Sequence, residues 1–172
     1  MKLLSCIISY LVISLQACGQ NVPQDYWILA CDENYEKCGY LNSKGDSVIE
    51  FGKYSMCYTD TFRIFAVVLK SGYGFVGIDR NEKILFQVFP YDNGPDSPKE
   101  GLFRIIDSNN KIGYANTKGE IIIKPQFECA FPFENGKAKV ALVCQKSKEK
   151  EGEHTTWLSN QWYYIDTSGR RK

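Results

Sequence analysis

Residues Lys111–Phe127, KIGYANTKGEIIIKPQF, decide how this chain folds, because much of the rest is built from looser copies of the same pattern. A short alternating segment, Lys111 to Asn116, runs into Thr117-Lys118-Gly119 and then into an apolar segment, Glu120 to Ile123, stopped by Pro125. Two strand patterns on either side of a tight turn predict a β-hairpin. Asn116 and Gly119 hold the first and fourth turn positions. Asn bonds its own backbone two residues on, and Gly accepts positive φ without steric cost.

The pattern returns at Gly39–Gly45, Val76–Glu82 and Tyr163–Gly169. Its steps are 37 residues (39 to 76), 37 again (76 to 113) and 50 (113 to 163). The excess in the last step coincides with residues 145–156, a charged run without apolar periodicity that predicts a solvated loop inserted into the last unit. The first turn position is always Asx: Asn42, Asp79, Asn116 and Asp166. A turn allows Asn and Asp to interchange and an acid–base role forbids it, so Asp79 and Asp166 read as turn formers. Glu82 replaces the usual Gly, which predicts a changed turn type or a left-handed Asn81.

A strand pattern precedes each copy, at Trp27–Cys31, Arg63–Lys70, Leu102–Asp107 and Lys139–Cys144, and Glu100-Gly101 and Asn135-Gly136 open two of these segments alike. The fold expected is therefore all-β: about four three-stranded antiparallel meanders stacked as an array, open propeller-like or barrel-like. A period of this size marks units that cannot bury their apolar face alone.

The run from Gly113 to Val140, with Ile122-Ile123, Pro125, Phe127 and then Ala130-Phe131-Pro132-Phe133 and Gly136, resembles the WG repeat family of bacterial proteins. The Trp-Gly pair itself is replaced by Cys38-Gly39, Ile112-Gly113 and Trp162-Tyr163. The resemblance implies a β-rich repeat fold, usually without assigned activity.

Residues 1–17 have the form of a secretory signal peptide: Lys2, an uncharged apolar run from Leu3 to Leu15, then small residues. The run is shorter than the roughly 20 residues a membrane-crossing helix needs. Leu15-Gln16-Ala17-Cys18 resembles a bacterial lipobox, which predicts a lipid on Cys18, with plain secretion or a retained anchor as the alternatives. The organisation expected is a leader (1–17), a tether (18–25) and a β-repeat domain (26–172), exported and held at a membrane by its lipid. Lys and Arg number 21 against 20 acids, and loss of Lys2 with the leader balances them. That balance argues against nucleic acid, which selects a basic face.

Export makes disulfides the first reading of the cysteines. Cys31 and Cys38 stand at facing ends of a predicted hairpin and are expected to be bridged, contributing about 2.5 kcal/mol by constraining the unfolded chain. Cys129 with Cys144 is a further possible pair and Cys57 is left over; buried free thiols are the alternative for all three. The sole histidine, His154, lies in the charged run, and neither a CxxC pair nor a phosphate-loop, nucleophile-elbow, dinucleotide or zinc-helix motif occurs. No metal or cofactor is expected.

Two carboxylates can suffice for glycoside cleavage, but the pair Asp92 and Asp96 flanks Asn93-Gly94-Pro95 and reads better as turn chemistry, as does Asp32 with Glu33. The function expected is a non-catalytic binding module of the cell envelope, its partner an envelope protein or glycan, and its state monomeric. Glycan binding, and behind it a carboxylate-dependent glycoside hydrolase, are the alternatives. The candidate binding loop is Tyr91, Asp92, Asn93 and Asp96, with Tyr91 and the acids exposed, whereas Phe131 and Phe133 are expected to cover the core.

Overall fold

The computed structural model describes residues 25–148 and 155–172, all of it strand, turn or irregular backbone with no helix. The first unit comprises β1 (Trp27–Cys31), β2 (Cys38–Leu41) and β3 (Ser47–Ile49), followed by the short β4 (Met56–Cys57) and β5 (Thr61–Phe62). Next come β6 (Phe65–Lys70), β7 (Gly74–Asp79), β8 (Ile84–Val88) and a small hairpin, β9 (Pro90–Tyr91) and β10 (Gly94–Pro95). The central stretch supplies β11 (Leu102–Ile106), β12 (Ile112–Asn116) and β13 (Ile121–Phe127). The remainder is β14 (Cys129–Ala130), β15 (Ala138–Ala141), β16 (Gln145–Lys148), β17 (Thr155–Leu158) and β18 (Tyr163–Ile165).

Strands β1-β2-β3, β6-β7-β8 and β11-β12-β13 are antiparallel meanders, as the alternation predicts. Around Tyr163 the third strand is reduced to one bridge, Ile165 to Arg171. The second and third meanders do not merely stack. β8 pairs with β11 through Val88–Ile105 and Gln87–Ile106, fusing them into a seven-stranded sheet, β13-β12-β11-β8-β7-β6-β4. None of the sheets closes into a barrel among the described residues.

The seven-stranded sheet curls. Phe65 on β6 stacks on Phe103 on β11 with centroids 6.2 Å apart and planes 10° from parallel, although β7 and β8 lie between them. In a flat sheet three strand spacings would separate them by about 14 Å. Phe86, Val88, Ile105 and Ala115 fill the inside of this curl. Ala66, Val68, Val76 and Ile78, on the opposite face, pack with Tyr40, Ile49 and Phe62. Ile112, Tyr114 and Ile123 pack with Ala130, Phe133, Val140 and Ile165, joining the three-stranded sheet β14-β15-β18 to the rest.

All four Asx residues make the turn predicted for them, their Oδ1 accepting the backbone N–H groups two and four residues on. Glu82 corrects one expectation: neither the turn type nor Asn81 changes. Glu82 itself takes the left-handed conformation, φ 60°, and its N–H still bonds Asp79 C=O at 2.9 Å. Its carboxylate is held by Lys53 Nζ at 2.6 Å and Tyr54 Oη at 2.7 Å, contacts that glycine could not make. Partial burial works against its ionisation, but those two hydrogen bonds outweigh it and keep the carboxyl below its usual range.

The glycines at the first position of two copies have a steric reason. A Cβ on Gly39 would lie 2.4 Å from Ile49 O, and one on Gly113 would lie 2.4 Å from Ile123 O. In both hairpins the third strand shifts register beside the glycine's strand, and its backbone occupies the side-chain space. Side chains stand at the corresponding place in the other two copies: Val76 pairs in regular register with Gln87 of β8, and around Tyr163 only a bridge runs where the third strand would.

Residues 145–156 correct a second expectation. Where described, they are not a loop: Gln145–Lys148 pairs with Thr155–Leu158 as a hairpin. Tertiary anchors replace the missing apolar pattern. Cys144 is disulfide-bonded to Cys129 at the hairpin's foot, and Trp157 packs edge-on against Phe89 and Phe131 at 6.0 and 5.4 Å. His154 lies outside the described residues. Cys31 and Cys38 are directly opposed in β1 and β2 and bridged, Cα atoms 4.0 Å apart. Cys57 is free and half-buried, and burial pushes its thiol pKa up.

Candidate functional site

The open end of the curl is a cleft of about 830 Å³. Its floor is formed by Phe65 and Val67 from β6 with Phe103 from β11. One wall is the segment Tyr58 to Ile64, another is the β9–β10 loop, and the Asx turn residues Thr117 and Lys118 close the rim. The sequence points to the β9–β10 loop. It gave no sign of Phe65, Phe103, Arg63 or Lys118 as neighbours, because they meet only once the sheet curls.

The loop's shape follows from its residues. Asp92 (φ 45°) and Asn93 (φ 63°) are both left-handed between paired Tyr91 and Gly94, the geometry of a two-residue type I′ hairpin. Asx side chains tolerate it better than most residues. Tyr91 is 62% exposed and lines the cleft with Asp92, whereas Asn93 is exposed but not part of the lining.

Asp96 overturns the reading of the loop's acids as solvent-facing. It is buried, its Oδ2 accepting Arg104 N–H at 2.8 Å and Nε–H at 3.0 Å and its Oδ1 accepting Nη2–H at 2.5 Å. Arg104 spends a further donor on Ala130 C=O at 3.2 Å, and its guanidinium lies 4.3 Å from the Phe89 ring centroid and 5.3 Å from that of Tyr91. The pair fastens the loop to β11 and β11 to β14. A signal for it does exist in the sequence: Arg104 interrupts the apolar strand Leu102–Ile106, and a buried cation requires a carboxylate partner. Asp92 is left without Asp96 as a free second carboxylate.

The opposite wall is equally tied down. Tyr40 Oη donates to Thr59 C=O at 2.8 Å, and burial raises its phenol pKa so that it stays a donor. Thr59 Oγ1 accepts Val67 N–H at 2.9 Å. Arg63 stands at the rim with its guanidinium 5.0 Å from the Tyr26 ring centroid. The mouth thus sets the cations Arg63 and Lys118 beside Asp92 around an aromatic floor.

Phe133 covers the core as expected, buried and edge-on to Tyr114 at 4.8 Å, but Phe131 is 41% exposed. Cys18 lies outside the described residues. No helix among the described residues is long and apolar enough to cross a membrane. No curated protein and no solved structure matches the chain. Residues 112–148, from β12 through β16, do match a family, and this stretch carries a WG containing repeat.

Proposed function

We propose that the chain is an exported, lipid-anchored, non-catalytic binding module of the bacterial cell envelope, built from four copies of one β-unit and open like an incomplete propeller. Its ligand is a loop of an envelope protein that inserts an apolar or aromatic side chain into the cleft. The observation carrying this reading is the cleft's construction: half-buried Phe65 faces a loop already held by the buried Asp96–Arg104 pair. A prepared wall lowers the ordering cost of binding, and an apolar floor with a few polar rim groups is the usual make-up of a ligand site.

Peptides displayed on phage and selected on the folded domain test this. Binding should weaken at least tenfold in Thr117→Trp, which fills the rim, and in Tyr91→Ala. Peptides indifferent to both changes would exclude the cleft, binding on a glycan array that is lost in Tyr91→Ala while no peptide is selected would favour glycan binding, and glycoside turnover lost in Asp92→Asn would restore catalysis. Mass spectrometry of the processed chain tests the address: a diacylglyceryl-modified Cys18 at the N-terminus is expected, and an unmodified chain beginning elsewhere refutes the anchor.

A further inference from the structure

The outward face of the three-stranded sheet is a separate feature that shares no lining residue with the cleft. Ala130, Ala138, Val140 and Ile165 point into the core. By the two-residue alternation of strands, Phe131, Lys137, Lys139, Trp162 and Tyr164 share the opposite side. Lys139 lies directly across from Tyr164, and Phe131 N–H bonds Lys139 C=O at 2.9 Å, so the three stand in a row across the sheet.

On this face Lys139 Nζ lies 4.9 Å from the Trp162 ring centroid, Lys137 Nζ lies 4.9 Å from that of Tyr164, and Phe131 approaches Trp162 at 5.5 Å. A hollow of about 320 Å³ lies among Phe131, Lys137, Lys139 and Tyr164, with Glu134 the one acid on its border. Neither lysine forms an ion pair among the described residues; the cations that do are Lys53, Arg80, Arg104, Lys111 and Arg170. Phe131 and Tyr164 are open to solvent, Tyr164 at 43%, and Trp162 is half-buried. Asp166, the nearest acid along β18, is committed to Ser168 and Arg170.

We propose that this face binds an acidic polysaccharide, a chain of sugars carrying carboxylate groups. Exposed cation–π contacts are weak and an ammonium leaves one readily for a formal anion. The lysine thus moves to the ligand's carboxylate and uncovers a ring for the C–H face of the sugar. Two lysines two strand residues apart, roughly 7 Å, engage successive charges along the polymer. Unpaired cations complement a polyanion, and rings in a hollow suit a sugar better than a bilayer, which would take a protruding apolar wedge.

The test titrates the full processed chain with polygalacturonate, neutral dextran, dextran sulfate and vesicles containing phosphatidylglycerol, following tryptophan fluorescence and gel retardation. Polygalacturonate should bind and perturb the fluorescence, and neutral dextran should not. Affinity should fall at least tenfold in the Lys137→Gln/Lys139→Gln double variant and in Tyr164→Ser, each folded by near-ultraviolet circular dichroism, while Tyr91→Ala in the cleft leaves it unchanged. Three results would overturn the proposal: no polygalacturonate binding, tighter binding of dextran sulfate with no effect of Tyr164→Ser, which is charge attraction alone, or binding of vesicles but not polysaccharide. Loss in Tyr91→Ala alone would move the site to the cleft.

Discussion

At Asp79 one carboxylate oxygen accepts the N–H groups of Asn81 and Lys83 at 2.9 Å each, and Asn42 and Asn116 do the same with an amide oxygen. The acceptor, not the charge, shapes the turn. Asp79→Asn should therefore change stability by less than about 0.5 kcal/mol in urea denaturation, while Asp79→Ala should cost about 1–2 kcal/mol, the net loss of two hydrogen bonds. Asp166 adds a titration. The Ser168 hydroxyl first, then the Arg170 backbone N–H, hold its carboxyl down to about 2. A depressed folded value means its contribution is complete above the unfolded pKa, about 3.9, and is lost as pH falls toward about 2. Carboxyl NMR should give a midpoint near 2, and Asp166→Asn should flatten the stability profile between about pH 4 and 2. Gly113 is governed by space: Ile123 O and Pro125 N would stand 2.4 and 2.5 Å from a Cβ, both backbone atoms that cannot swing away. Gly113→Ala should cost about 3 kcal/mol, at the upper end for overpacking, whereas Gly94→Ala, with only Tyr91 O at 3.8 Å, should be tolerated in thermal unfolding.

Among the elements, the β9–β10 hairpin depends most on one distant partner. Its own turn residues set its shape, but Asp96 and Arg104 set its position. Removing either group strands a buried charge, so Asp96→Leu and Arg104→Met should each cost about 3–5 kcal/mol, while the double replacement should recover most of that loss. A double-mutant cycle in urea measures the coupling, and additive costs would contradict the clamp. The charged hairpin β16–β17 shows the same dependence on remote contacts. Its sequence lacks the periodicity of a half-buried strand, and Cys144 and Trp157 tie it to β14 and to Phe89 and Phe131. Glu82 is the residue-sized counterpart: a left-handed position held by Lys53 and Tyr54 rather than by the absence of a side chain.

For the whole molecule, the pairing of β8 with β11 and the curl that follows decide where the cleft opens. Phe103 is buried against Phe65 at 6.2 Å and Phe86 at 5.8 Å, so Phe103→Ala should destabilise by about 3–5 kcal/mol in thermal or urea unfolding, with the added loss of the cleft floor. The hairpins of the meanders, the Asx turns and the Cys31–Cys38 bridge were legible in the amino-acid order, because each is closed by residues a few positions apart whose backbone preferences act locally; the β16–β17 hairpin, held by remote contacts, was not. The fusion of two meanders, the burial of Asp96 and the gathering of Phe65, Arg63 and Lys118 around one opening were not. Those depend on which strand edges find each other across long stretches of chain, and period-two alternation names the inward face of a strand without naming the strand beside it.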